Sequence, residues 1–142
     1  MFCMWQKSYS VVTREVTREQ LWKLTTDINR WKQWDDTVED SRLLGEFRAG
    51  DYFMLKPAGG PRVKIQLLEI VPFRKFVDLT RFPLARMYGE HVYEETAQGL
   101  KITVTMTVKG LLGPVWVRLV AGGIVANLEK DVANQIQNAR KL

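Results

Sequence analysis

The chain's only histidine, His91, stands two residues before Tyr93. An imidazole beside a phenol can move protons or can hydrogen-bond a polar group of a ligand. On a strand, such a pair would share one face. Asp78 and Arg81 could join it only if their own strand faces the same way. Asp35 and Asp36 are adjacent, so their carboxylates point in different directions, and an acidic turn before a strand explains them without chemistry. Trp31 and Trp34 each offer a rigid face for stacking on a flat ligand, although aromatics leaving a helix at this spacing commonly cap a core. Cys3 and His91, the only residues of their types, are too few for a structural zinc site, and Cys3 has no partner for an internal disulfide. Gly59 and Gly60 lie between Pro57 and Pro61 without the lysine and helix of a phosphate-binding loop, so they read as a turn at one end of a sheet. With no nucleophile elbow or paired-histidine helix either, we expect no metal and no cofactor, and no residue is assigned as catalytic.

Strand arithmetic places the histidine. If Thr96-Ala97-Gln98-Gly99 is a hairpin loop, Glu95 faces Leu100, Tyr93 faces Ile102, His91 faces Val104, Gly89 faces Met106 and Met87 faces Val108. Ile102, Val104, Met106 and Val108 alternate with Lys101, Thr103, Thr105, Thr107 and Lys109, so the apolar set is the buried one. His91, Tyr93 and Met87 then point inward, beside open space at Gly89. The expected ligand-facing set is His91, Tyr93, Met87, Val104 and Met106, joined by Ile124 from the last helix. A loop one residue longer or shorter would turn His91 and Tyr93 outward. A histidine on such a face is commonly a satisfied core residue, so anchoring and catalysis both stay open as its roles.

The elements that must position these residues follow from periodicity. Tyr9, Val11 and Thr13 alternate within Gln6 to Val16 and predict a first strand. Thr17-Arg18-Glu19-Gln20 has the form of a capping box, with Val16 set to staple onto Leu21. A helix should run from there through Leu21, Leu24 and Ile28 to end near Trp31 to Trp34. Turn chemistry then separates short alternating runs, predicting strands near 37–44, 51–56, 62–71, 75–82, 86–95 and 100–109. After Gly113-Pro114, one stripe of Val117, Ala121, Ile124, Leu128, Val132, Ile136 and Ala139 predicts a long amphipathic helix. Gly122 and Gly123 within it each cost roughly 0.5–1 kcal/mol relative to alanine, which calls for close packing, a break, or room for a ligand. Trp116 and Arg118 lie on the same segment, within reach of a cavity edge, although the Arg118 stem can equally run to water.

At 142 residues, with 46% hydrophobic and 26% charged, the chain suits one domain over 1–142 with a sizeable core. The net charge of +5 is spread among interleaved signs, which speaks against nucleic acid; a transient membrane contact stays open, and oligomeric state is not legible. One cysteine and no visible secretory signal point to the cytoplasm. Leu111 to Leu128 approaches the length of a membrane span, but Arg118 near its centre costs roughly 2.5–3.5 kcal/mol in a bilayer, so a helix buried in protein is expected.

The order strand, helix, six strands, long helix resembles the START-like helix-grip superfamily (SRPBCC), which includes polyketide cyclases and dehydrases, lipid-transfer domains and birch-pollen-allergen-like carriers. The likeness covers the whole chain. It is carried by Asp27 to Trp34 leaving the first helix, Ala49-Gly50-Asp51 opening a strand, Leu68 to Lys75 at a strand turn, Gly99 before the last strand, and Gly110 through Gly113-Pro114 leading into the final helix. These are signatures of a fold and not of a reaction. The resemblance implies an α+β fold, a seven-stranded curved antiparallel sheet wrapped around the C-terminal helix, with a cavity between them. The expected partner is a hydrophobic small molecule such as a lipid or polyketide, either bound and transferred or acted on by a cyclase or dehydratase in the same cavity.

Overall fold

The structure, a computed structural model, describes residues 3–142, with Cys3 described by its backbone only, so the reading of that thiol lies outside the described residues. Seven strands form one antiparallel sheet: β1 (Cys3–Thr13), β2 (Val38–Leu43), β3 (Tyr52–Pro57), β4 (Val63–Val71), β5 (Lys75–Phe82), β6 (Ala85–Thr96) and β7 (Gly99–Gly110). Their order across the sheet is β1-β7-β6-β5-β4-β3-β2, which puts β5 in the middle and returns the first strand to pair with the last. Alternation sets the two faces. On the outer one, Gln6, Ser8 and Ser10 of β1 meet Thr107, Thr105 and Thr103 of β7 through side-chain hydrogen bonds of 2.9, 2.8 and 3.0 Å. On the inner one, Ile102, Val104, Met106 and Val108 are buried. Register shifts between Val38 and Asp40 and between Leu67 and Glu69 are the bulges that bend the sheet toward its covered face.

Helix α1 (Arg18–Thr26) opens on the expected capping box: the Gln20 amide donates to the Thr17 hydroxyl at 3.1 Å, and the Thr17 amide donates to the Gln20 side chain at 2.9 Å. Val16 and Leu21 are both buried in the core, as the staple requires. The helix stops sooner than the apolar stripe predicts. Thr25 and Thr26 donate their hydroxyls back to the carbonyls of Leu21 and Trp22, Asp27 leaves the helical region at ψ 68, and Ile28–Gln33 continues as a tighter 3-10 turn. The Trp31 indole donates to the Thr25 carbonyl at 3.1 Å and its ring packs edge-on to Phe53 at 5.5 Å, so this tryptophan closes the helix end and caps the core. Asp35 accepts from both the amide and the hydroxyl of Thr37, which is the turn role expected of it.

The C-terminal helical run differs from the single unbroken helix that its stripe predicts. It divides into α2 (Gly113–Trp116), a π-helical turn (Val117–Ala121), α3 (Gly122–Ala126) and α4 (Leu128–Ala139). Two residues cause the breaks. A Cβ on Gly122 would lie 2.9 Å from the Val117 carbonyl, which accepts the Gly122 amide, so the absent side chain permits the wide turn. Asn127, at φ −103 and ψ 0, separates α3 from α4 and donates its side-chain amide to the Gly123 carbonyl at 3.0 Å. Leu128, Val132, Ile136 and Ala139 bury the inner stripe of α4, which packs on α1, while α2 and the π turn pack on β1 and β7. The helix buried in protein that is expected over Leu111 to Leu128 is covered on one side only: Val117 and Ile124 pack on the core, but Val115 and Leu119 are 46% and 67% exposed.

These two glycines make a stability test. Nothing lies within 4 Å of a Cβ on Gly123, so Gly123→Ala should raise stability by about 0.5–1 kcal/mol through helix propensity alone. Gly122→Ala should instead lower it by about 1 kcal/mol, because the backbone must move. Urea midpoints of the two variants check both signs.

Candidate functional site

The hairpin β6–β7 carries the candidate site, and its register runs from Thr96 opposite Gly99 to Arg86 opposite Lys109. Only Ala97 and Gln98 lie outside the strands, so the loop is shorter than expected, yet every cross-strand partner is the one anticipated. Met87, Tyr93, Val104 and Met106 are accordingly buried on the inner face. His91 lies on that face as well, its ring stacked on Phe76 with centroids 4.2 Å apart and planes 15° apart. Ile124 is half-buried on α3 and packs on the same core from the helical side. The strand residues of the expected set are thus brought together, and Ile124 shares the core with them.

Asp78 completes the group. The two-residue turn at Pro83-Leu84 pairs Phe82 with Ala85, and the same register sets Asp78 opposite Gly89 and Phe76 opposite His91. Asp78 therefore points inward, while Arg81 lies on the outer face and donates to Gln66 at 2.8 Å. The open space that the sequence led us to expect at Gly89 is filled: a Cβ there would come 2.8 Å from Asp78 Oδ1. Gly89 is the notch that the carboxylate occupies. From it, Asp78 Oδ2 reaches His91 Nε2 at 3.3 Å.

Exposure decides what this pair can do. The Asp78 and His91 side chains retain 17% and 21% of their accessible surface although they sit on the central strands and face inward. The pair is therefore only partly covered, although Phe76, Met87 and Met106 around it are all buried. Tyr93 is different. Its hydroxyl donates to Thr25 Oγ1 at 3.3 Å, and burial pushes the phenol well above its ordinary range, opposed by the Thr25 hydrogen bond and reinforced by the charge of Asp78. Tyr93 is a protonated core donor tied to α1, and at the centre of the inner face, between β5 and β6, the accessible polar groups are the carboxylate and the imidazole. Two open clefts are also present: one of about 450 Å³ that Tyr93 lines together with Arg18, Arg74, Lys75, Glu94 and Glu95, and one of about 360 Å³ between the 3-10 turn and α4.

Of the other sequence candidates, Trp34 is half-buried and its carbonyl accepts from Asn134 at 2.9 Å, while Trp116 donates to the Pro83 carbonyl at 2.9 Å and stacks on Phe82. Arg118 is exposed. The partners of the two predicted anchors, Asp78 and Thr25, had unequal signals. Asp78 was available from one more step of strand arithmetic through the Pro83-Leu84 turn; Thr25 arrives only through the packing of α1 on β6.

A curved antiparallel sheet holding a C-terminal helical run over a mostly apolar inner face, with one polar pair at its centre, defines a START-like helix-grip protein. The chain belongs to the polyketide cyclase / dehydrase and lipid transport family, whose model matches residues 5–141. Among solved structures it is similar to the di-domain ARO/CYC protein BexL of the BE-7585A biosynthetic pathway, at 13% identity and a TM-score of 0.71, covering 97% of this chain and 49% of that one. The chain thus spans about half the length of that protein. It is also similar to a protein from Nitrosomonas europaea (14% identity, TM-score 0.69, covering 96% and 94% of the two chains) and to a START superfamily protein from Mycobacterium smegmatis (12%, 0.66, 95% and 97%). At such identities the likeness is one of fold. No curated protein matches in sequence.

Tyr93 makes stability depend on alkaline pH. Below about pH 10 the phenol is protonated in both folded and unfolded chains and its contribution is whole. As pH rises further, the unfolded phenol ionises while the buried one does not, so the unfolded chain binds fewer protons and stability falls. Tyr93→Phe should cost about 1 kcal/mol at neutral pH and flatten the alkaline decline, which urea midpoints across the alkaline range would show.

Proposed function

We propose that residues 1–142 form one domain that binds or transfers a hydrophobic small molecule, a lipid or polyketide in class, between the inner face of the sheet and the C-terminal helical run. The observation that carries this reading is the partly exposed His91–Asp78 pair at the centre of a mostly apolar face. Apolar walls with a few convergent polar groups are the usual make-up of a small-molecule site, and the family to which the chain belongs joins cyclase or dehydrase chemistry with lipid transport in its description. Met87, Val104, Met106 and Ile124 would contact the apolar body of the ligand. His91 would meet its polar head, held in orientation by Asp78 below and Phe76 behind. Tyr93 would support this wall through Thr25. The single cysteine suits work in the cytoplasm.

A second reading rests on the same pair. A carboxylate bonded to one imidazole nitrogen fixes the ring and its tautomer, which is an arrangement for general acid–base chemistry. His91 would then be the proton-transfer group of a cyclase or dehydratase, with Asp78 positioning it.

Native mass spectrometry of the purified protein, followed by organic extraction, should release an apolar compound, and apolar probes should raise the melting temperature. His91→Phe should weaken a keto- or carboxyl-headed probe by about tenfold and leave a plain hydrocarbon of the same length unaffected. Equal losses for both probes would remove His91 from the site, and failure of a broad apolar panel to shift melting would overturn the binding reading itself. Turnover of a β-ketone substrate that vanishes in Asp78→Asn while probe affinity persists would select catalysis over carriage.

A further inference from the structure

Where the β5–β6 turn meets the start of the helical run, apolar side chains stand in solvent: Leu84 is 63% exposed, Leu111 63%, Val115 46%, Leu119 67% and Met4 64%. Leu111, Val115 and Leu119 recur at every fourth residue and line one side of the run. Leu84 is held beside them. Its carbonyl accepts from the Leu112 amide at 3.0 Å, and the neighbouring Pro83 carbonyl accepts from the Trp116 indole at 2.9 Å. Met4 is cross-strand to Lys109, immediately before the turn into Leu111. Leu84 also adopts φ 57, a left-handed conformation in which glycine or asparagine is the ordinary choice. Neither burial nor turn chemistry selects a leucine there.

The charge around this strip has one sign. Arg81, Arg86 and Lys109 occupy successive strands of one ladder row, ending at Met4. Arg118 lies between Val115 and Leu119, and between Glu95 and Glu129 the sequence has no acidic residue at all. None of these four cations has an ion-pair partner among the described residues. A second copy of the chain docking here would bring like charges together, and nucleic acid would leave the leucines in water. A bilayer containing anionic lipid satisfies both features, because the acyl boundary takes the apolar strip and the headgroups take the cations. No helix among the described residues is long and apolar enough to cross a membrane, so the contact lies in the plane of the interface.

We propose that this end of the molecule is a docking surface for an anionic lipid bilayer, with Leu84, Leu111 and Leu119 entering the headgroup–acyl boundary and Arg81, Arg86, Lys109 and Arg118 facing the phosphates. It stands on residues separate from the interior site, and its failure would leave that reading untouched. The test is co-sedimentation of the full chain with vesicles of phosphatidylcholine, alone or mixed with phosphatidylglycerol. Binding should require phosphatidylglycerol and fall as salt is raised. Leu119→Ser or Leu84→Ser should weaken it about tenfold, and Arg86→Gln or Lys109→Gln about fivefold each, with melting curves unchanged because these side chains are exposed. Should Leu84→Ser lower the melting temperature through its turn, Leu119→Ser and Leu111→Ser carry the test. Equal binding to both vesicle types, equal binding by parent and Leu119→Ser, or a dimer that Leu119→Ser dissolves without any vesicle binding by the parent would each overturn the proposal.

Discussion

The β6–β7 hairpin is the constraint on which the rest of this molecule depends. Its two strands of 12 residues each are paired without a register shift, and a slip of one residue would exchange every inward side chain for its outward neighbour. That one register buries Ile102, Val104, Met106 and Val108, lays threonines outward to bond the polar side chains of β1, and sets Met87, Gly89, His91 and Tyr93 in one inward column. The neighbouring strands then follow. The tight turn at Pro83-Leu84 carries the register into β5, and the bulge between Leu67 and Glu69 lets β4 curve away with Leu67 and Ile70 both packed on the core.

Within this frame the polar pair is a local exception that the structure supports from three sides. A carboxylate on an inner face loses favourable hydration unless it is hydrogen-bonded; Asp78 keeps some water, reaches His91, and fits only because the residue opposite is glycine. Phe76 fixes the imidazole by stacking, and Phe76 is itself packed edge-on against Trp22 and Phe47. Tyr93, two residues further along the strand, meets Thr25 of α1 with its hydroxyl. The site therefore stands on rigid elements, with the first helix bracing the strand that bears the histidine. That rigidity suits orientation of a ligand head more than it suits accommodation of many shapes.

The helical run obeys two demands at once. Its inner side, through Val117, Ala121 and Ile124, must cover the sheet, whereas α4 must pack on α1. A straight helix meets one of these directions, and the π turn at Gly122 with the break at Asn127 redirects the stripe toward the other. The outer side of the early run is apolar too, a pattern that in water is stable only when something covers it.

How much of this was legible beforehand divides along the range of the interactions. The sequence by itself determined the strand count and order of elements, the capping box, and the inward column of β6, because these rest on periodicity, turn residues and pairing between neighbours in the chain. It read the end of α1 and the continuity of the last helix wrongly, since an apolar stripe reports burial and is blind to a hydroxyl bonding backward or a carbonyl approaching a glycine. That the room at Gly89 belongs to Asp78 was within reach of one more step of pairing through the Pro83-Leu84 turn; only the tertiary structure decided that Tyr93 is spent on Thr25 while His91 keeps contact with water, and that Val115 and Leu119 stand exposed. Each of those depends on side chains from elements distant in the chain meeting in space, and the spacing of residues along a single strand or helix carries no record of what is packed against it.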